Sequence, residues 1–214
     1  MNEEKQDVNR DVLVQSKDLM QAAIDLSVYR YTLSFSVGML IVVVLLGGSI
    51  SLLYSIIDSA EFFIVGWLLL AISAIMIHLY VFRHVLRRVE PMKNEIFIWG
   101  FTYPLVYFSG YAINGILKNL ISPEILWYPL LGIANFIIGM TIEHYHFSKQ
   151  ELFNRPILTF SICLLVSTPI LFTLLLFIPD QSVHNLIVTG IGMIIASLTT
   201  SYSIAQAEKK VVQT

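Results

Sequence analysis

A row of tyrosines at four-residue spacing is the first feature of this 214-residue chain that could do chemistry. Tyr103, Tyr107 and Tyr111 recur every fourth residue, and Asn114 follows three residues later. On an α-helix these side chains share one slowly drifting face. Each buried hydroxyl needs a hydrogen-bond partner. The face could line a path for a small solute or ion, or it could donate hydrogen bonds to neighbouring helices.

Two more polar side chains extend this set. Asn135 lies in the next apolar stretch, and His78 is the one ionisable side chain clearly within an apolar stretch. An ionisable group at membrane depth is a functional hypothesis by default, although a neutral histidine bonded to a tyrosine or a carbonyl satisfies the same physics. With the tyrosines they form a candidate polar path: His78, Tyr103, Tyr107, Tyr111, Asn114 and Asn135.

Histidines and one glutamate form a second candidate group, at the ends of apolar stretches. Its members are His84, Glu143, His144 and His146. The spacing Glu143-x-x-His146 puts both side chains on one helical face, as in di-iron carboxylate bundles, but such a site needs two pairs and the chain has one. Interfacial residues solvated by water and lipid headgroups are the default interpretation. No cofactor is expected, and a mononuclear metal or haem site is the weaker alternative.

Composition places these residues in a lipid bilayer. Hydrophobic residues make up 56% of the chain and charged residues only 13%, with a mean hydropathy of +0.74. A soluble domain carries roughly 25% charged residues, so this surface is too apolar for water. The net charge of −2 gives no basic cluster for nucleic acid, which is excluded as a partner.

Six uncharged stretches are each long enough to cross a bilayer as a helix. They are Val37–Ile57, Phe62–Phe82, Ile96–Leu117, Ile125–Ile142, Ile157–Ile178 and Leu186–Ile204. Backbone groups in lipid must be satisfied internally, which favours helices. The sequence therefore predicts an all-α polytopic membrane protein with six transmembrane helices in three hairpins. Residues 37–204 form the membrane domain, preceded by segment 1–36 and followed by tail 205–214.

Basic residues predict the orientation of this domain. With six spans, 12 of the 13 lysines and arginines fall on one face, and Lys118 lies on the other. Lys and Arg in short loops are retained on the cytoplasmic side. We therefore expect a multi-pass protein of the cell membrane with both termini in the cytoplasm. The polar first 36 residues lack the apolar core of a cleavable signal peptide.

The N-terminal segment has a heptad pattern. Val8, Val12, Leu19 and Leu26 belong to a seam that also includes Gln15, Ala22 and Tyr29, with alternating spacings of four and three. This seam is the candidate partner-binding surface, for another membrane subunit or for self-association. Alternatively, the segment folds against the inner loops of its own chain or lies at the membrane interface.

Local signals predict helix starts and helix packing. Ser122-Pro123 and Asn154-Arg155-Pro156 put proline in the first turn of the fourth and fifth spans. Within the fourth span, small and polar residues recur every three or four positions and end in a carboxylate and an imidazole. This stripe favours close helix packing and consists of Gly132, Asn135, Gly139, Glu143 and His146.

The chain lacks the common catalytic signatures of intramembrane proteases, hydrolases, ATPases and potassium channels. The leading hypothesis is therefore a non-enzymatic multi-pass membrane protein, an accessory or interaction subunit of a larger complex or homo-oligomer. The rival hypothesis is a translocator of a small solute or ion, with its path between the third and fourth helices. Metal or haem binding by the cytoplasmic-side histidines is a third hypothesis.

Overall fold

The computed structural model describes residues 2–39, 95–147, 155–180 and 183–213, with eight isolated positions between 49 and 76. Most of the first two predicted spans, Val37–Ile57 and Phe62–Phe82, lies outside the described residues. His78 and His84 lie outside them as well, and so do the side chains of Val8, Val12 and His146.

The described chain is all-helical, as the sequence predicts, and contains no strand within these ranges. Six α-helices and one π-helical segment follow one another. They are α1 (Asn2–Met39), α2 (Glu95–Ile116), α3 (Pro123–Ile138), the π segment (Gly139–Glu143), α4 (His144–Phe147), α5 (Pro156–Leu175) and α6 (His184–Gln213).

Three helices within the described ranges are long and apolar enough to cross a membrane. These stretches are Ile125–Glu143, Pro156–Leu175 and His184–Lys209. They correspond to the fourth, fifth and sixth predicted spans. Helix α2, at the third predicted span, has 22 residues and is about 33 Å long, but it is not among these three stretches.

One face of α2 is nevertheless strongly apolar and open. Phe97, Phe101, Leu105 and Phe108 are each at least 58% exposed and follow one another at helical spacing. The tyrosines lie on the other side of the helix, which packs against α3. This division is typical of a helix that has one face on a bundle and the other in an apolar environment.

Helix α3 is central to the packing. It contacts α2, α5 and α6, and α5 also packs against α6. The main hydrophobic cluster joins α3, α5 and α6 through Ile125, Tyr128, Phe160, Leu164, Leu171, Leu175, Val188 and Ala196. A smaller cluster of Ile138, Ile142 and Ile157 fills the space where the π segment meets the start of α5.

Proline positions mark two helix starts, as predicted. Helix α3 begins at Pro123 and α5 at Pro156, each with proline in the first turn. The stripe on α3 is buried at Gly132, Asn135 and Gly139. An added Cβ on Gly132 would meet the side chain of Leu165 on α5 at 3.0 Å, so the small residues permit close approach of the two helices.

Helices α1 and α6 cross the predicted domain boundaries without a break. Helix α1 is one 38-residue helix, about 57 Å long, and α6 continues to Gln213. The two helices pack against each other. Side chains 14–21 of α1 are all exposed, whereas Tyr31, Thr32 and Ser36 are buried. The side chains of residues 14–21 are therefore not packed into the bundle.

Candidate functional site

The tyrosine face of α2 is joined to α3 by hydrogen bonds. The Tyr103 hydroxyl donates to Oδ1 of Asn135 at 3.0 Å. The Asn135 amide Nδ2 in turn donates to the backbone carbonyl of Leu131 at 2.8 Å, one turn earlier in α3. Asn135 is 1% exposed. Both ends of its amide therefore have partners, as a buried amide requires.

The next two hydroxyls continue toward the start of α3. Tyr107 donates to the carbonyl of Trp127 at 3.3 Å, and Tyr111 donates to the carbonyl of Pro123 at 3.1 Å. Residue numbers rise along α2 as they fall along α3, which is the pattern of an antiparallel pair. Hydrogen bonds from the three tyrosines therefore join α2 to α3 at three successive positions along the hairpin.

Asn114 closes the same hairpin. Its side chain donates to the carbonyl of Ile121 at 2.8 Å and accepts from the Ile121 N–H at 3.1 Å. Between them the loop passes through left-handed backbone at Lys118 and Asn119, with φ of 57° and 56°, a conformation that asparagine tolerates better than most residues. The two bonds of Asn114 hold both sides of this tight connection.

A double-mutant cycle between Tyr103 and Asn135 tests whether their hydrogen bond stabilises the α2–α3 pair. Tyr103→Phe and Asn135→Leu are expected to show a coupling of about 0.6 kcal/mol in unfolding free energy, the average for interhelical hydrogen bonds in membranes. Unfolding by SDS in mixed micelles measures it. The matched cycle of Tyr107→Phe with Asn135→Leu should show little coupling, because Tyr107 bonds to the Trp127 carbonyl. Equal coupling in both cycles would contradict the assignment.

At the other end of α3, the Glu143 side chain is fully buried and caps α5. Its Oε1 accepts from the Ile157 N–H at 2.9 Å, and its Oε2 accepts from the Leu158 N–H at 2.9 Å. These amides lie in the first turn of α5, where N–H groups lack intrahelical acceptors. A negative charge is also favourable at a helix N-terminus. The residue preceding the helix, Arg155, makes no side-chain capping bond.

A third donor comes from the N-terminal helix. The Tyr31 hydroxyl, on α1, donates to Oε1 of Glu143 at 3.1 Å across 112 residues of sequence. Tyr31 is 1% exposed. One carboxylate therefore connects α1, the π segment and the start of α5.

Gly139 and the π segment bring the carboxylate to α5. An added Cβ on Gly139 would stand 3.0 Å from the backbone N and Cα of Leu158, so the two backbones meet closely there. The His144 N–H donates to the Gly139 carbonyl, five residues back. A π-helical turn inserts an extra residue into a helix and redirects the side chains that follow it. Glu143, four residues after Gly139, thereby reaches the first turn of α5.

Arginine and histidine flank this carboxylate. Arg155 is half-buried and close enough to act electrostatically on Glu143. Its Nη1 lies 3.4 Å from Nδ1 of His144, which is exposed. The structure thus brings Glu143 and His144 of the predicted cytoplasmic-side group to one place. Within the described ranges, no three His, Cys, Asp or Glu side chains are grouped as metal ligands.

Sequence reasoning missed all three donors to Glu143, one from α1 and two from the start of α5. Tyr31 lies far away in sequence and carries no motif that would indicate a bond to Glu143. The start of α5 did carry a signal, because Asn154-Arg155-Pro156 provides no serine, threonine or aspartate at the residue preceding the helix. A buried helix start without a local cap requires an acceptor from elsewhere.

The predicted partner-binding seam lies on α1. Leu19 is 73% exposed and Leu26 is 40% exposed. Val14, Met20 and Ile24 are exposed as well, so apolar side chains surround this part of the helix instead of forming a single stripe. Leu19 and Leu26 are therefore accessible to a partner. No protein-family model matches this chain, and no curated protein and no solved structure matches it.

Proposed function

We propose that this chain is a non-enzymatic multi-pass protein of the cell membrane, an accessory or interaction subunit of a larger complex or homo-oligomer. Its six spans form three hairpins, and both termini are cytoplasmic. The bundle acts as a scaffold, and the beginning of α1 binds the partner. No cofactor is needed for this role.

The bonding of the polar residues supports a scaffold over a solute path. Tyr103, Tyr107, Tyr111 and Asn114 all bond to groups of α3 or of the adjoining loop. A path would need polar groups turned toward water, since a permeating solute exchanges hydration for contacts with the lining. These groups instead bond to the protein itself, as tightly packed membrane helices require.

The exposure of α1 is the observation that carries the proposal. Every side chain from 14 to 21 is exposed, and the large apolar side chains among them gain nothing from contact with water. Roughly 25 cal/mol is gained for each square ångström of apolar surface removed from water. A partner that covers Leu19 and Leu26 therefore has a driving force for association.

The size of the native complex tests this proposal. Leu19→Asn together with Leu26→Asn should reduce the mass of the complex extracted in mild detergent, because both changes place amides in the seam. The matched control is Val14→Asn with Ile24→Asn, which alters two exposed apolar residues of α1 outside the seam. Native gel mobility and light scattering measure the mass.

The two pairs give opposite expectations. The seam pair should release the chain from its complex, and the control pair should leave the complex intact. A complex of unchanged mass with the seam pair would contradict binding through this seam. Equal loss with both pairs would show that general polarity of α1, not this face, controls assembly.

A further inference from the structure

Acidic residues follow the α1 seam along one side. Glu4, Asp11, Asp18 and Asp25 recur every seven residues. Three of them immediately precede seam positions 12, 19 and 26, which is the flanking position that sets partner choice in coiled coils. The structure describes the side chains of Asp18, which is exposed, and Asp25, which is half-buried. Oδ1 of Asp25 accepts from the Gln21 amide at 3.0 Å.

The other flank of the seam is uncharged over most of its length. The corresponding positions hold Asn9, Ser16, Ala23 and Arg30. From position 9 to position 23 the seam is therefore bordered by acidic residues on one side and by neutral residues on the other. The flanking charges can therefore discriminate between helices that pack against this seam, because they attract some and repel others.

A second copy of this chain does not complement that pattern. In a parallel pair, each acidic position faces the other flank of the second copy, five residues further on. Asp11 then faces Ser16, and Asp18 faces Ala23, whereas only Asp25 faces a base, Arg30. In an antiparallel pair the acidic flanks face each other, which is repulsive.

The first part of the acidic flank lies far from the predicted membrane boundary. Asp11 is 26 residues before the predicted membrane start at Val37, about 39 Å along the uninterrupted helix α1. Glu4 and Asp11 therefore lie on the part of α1 that is farthest along the helix from the predicted membrane spans.

We infer that the partner of α1 is a helix of another protein with an apolar seam flanked by lysine or arginine. The inference rests on the proposed function and adds the chemistry of the partner to it. Basic side chains opposite positions 4, 11, 18 and 25 would pair with the acids while the apolar seams cover each other. Opposite charges also increase the rate of encounter.

Two synthetic peptides test this charge preference on the full-length chain in detergent. Both are 28-residue helices with leucine in the seam, and they differ only in carrying lysine or glutamate at the flanking positions. The lysine peptide should bind about tenfold or more tightly than the glutamate peptide in low salt, with the difference shrinking in high salt. Fluorescence anisotropy of labelled peptides measures the binding.

Charge reversal supplies the control. Asp11→Lys with Asp18→Lys should invert the preference, because both acids have the same register position beside the seam, and Asp18 is exposed. Equal binding of the two peptides, or an unchanged preference after reversal, would overturn the inference. Self-association through the seam without either peptide would also overturn it, in favour of a second copy. If peptide binding fails while Leu19→Asn with Leu26→Asn still releases the native complex, the proposed function stands and only the partner chemistry is wrong.

Discussion

Glu143→Ala is expected to lower the free energy of unfolding by about 3 kcal/mol, the largest loss expected for any single substitution in the bundle. The change leaves the N–H groups of Ile157 and Leu158 without their acceptor, and both residues are almost completely buried. It also removes the bond that holds Tyr31 of α1. Unfolding by SDS in mixed micelles measures the loss in free energy.

Two control variants show whether the loss of stability in Glu143→Ala comes from the lost cap of α5 or from the loss of any carboxylate. Tyr31→Phe removes one donor and leaves the α5 cap intact, so about 1 kcal/mol is expected. Glu208→Ala removes an exposed carboxylate of α6 and should change stability by less than about 0.5 kcal/mol. A Glu143→Ala protein as stable as the Glu208→Ala protein would contradict the capping role.

Gly139→Ala is expected to cost about 1–3 kcal/mol, the usual range for overpacking. The new methyl group would stand 3.0 Å from backbone atoms of Leu158, which cannot move aside as a flexible side chain can. Helix α5 must therefore shift by a few tenths of an ångström, and the bonds to Glu143 lengthen. The same unfolding measurement applies, and hydrogen exchange of the Ile157 and Leu158 amides should accelerate.

Gly190→Ala is the matched control for this substitution. Gly190 lies in helix α6, and a Cβ there meets no atom within 4 Å. Alanine is favoured over glycine in a helix interior by roughly 0.5–1 kcal/mol, so this variant should be slightly more stable. If both substitutions have the same sign and size, close approach at Gly139 does not determine stability.

Much of the architecture was predictable because it depends on local sequence. Pro123 and Pro156 mark helix starts through their fixed φ and missing N–H. Gly132, Asn135 and Gly139 form a stripe because four residues are close to one helical turn. Their burial against neighbouring helices follows from the rule that small residues permit close contact between membrane helices.

The site at Glu143 could not be predicted in the same way. Its bond to Tyr31 joins residues 112 positions apart, and no local pattern encodes that distance. The π turn from Gly139 to Glu143 also changes the direction of the side chains relative to an ideal helix. A regular helical projection therefore does not show that Glu143 reaches the first turn of α5.

Helix α2 shows a different limit of sequence reasoning. Its length and lack of internal charge predict a membrane span, yet it is not among the three described stretches that are long and apolar enough to cross a membrane. Hydropathy averages over the whole helix, whereas the exposed phenylalanines and the bonded tyrosines occupy different faces. The pairing of each hydroxyl with α3 becomes visible only in three dimensions.

Cysteine labelling in intact cells tests most directly the claim that the chain threads the membrane and keeps α1 in the cytoplasm. Cys163→Ala removes the one native thiol, and Ser16→Cys, Ser122→Cys or Val212→Cys then reports one position at a time. A membrane-impermeant maleimide should label only the Ser122→Cys protein, and all three proteins should react after lysis. Labelling of the Ser16→Cys or Val212→Cys protein in intact cells would contradict the account.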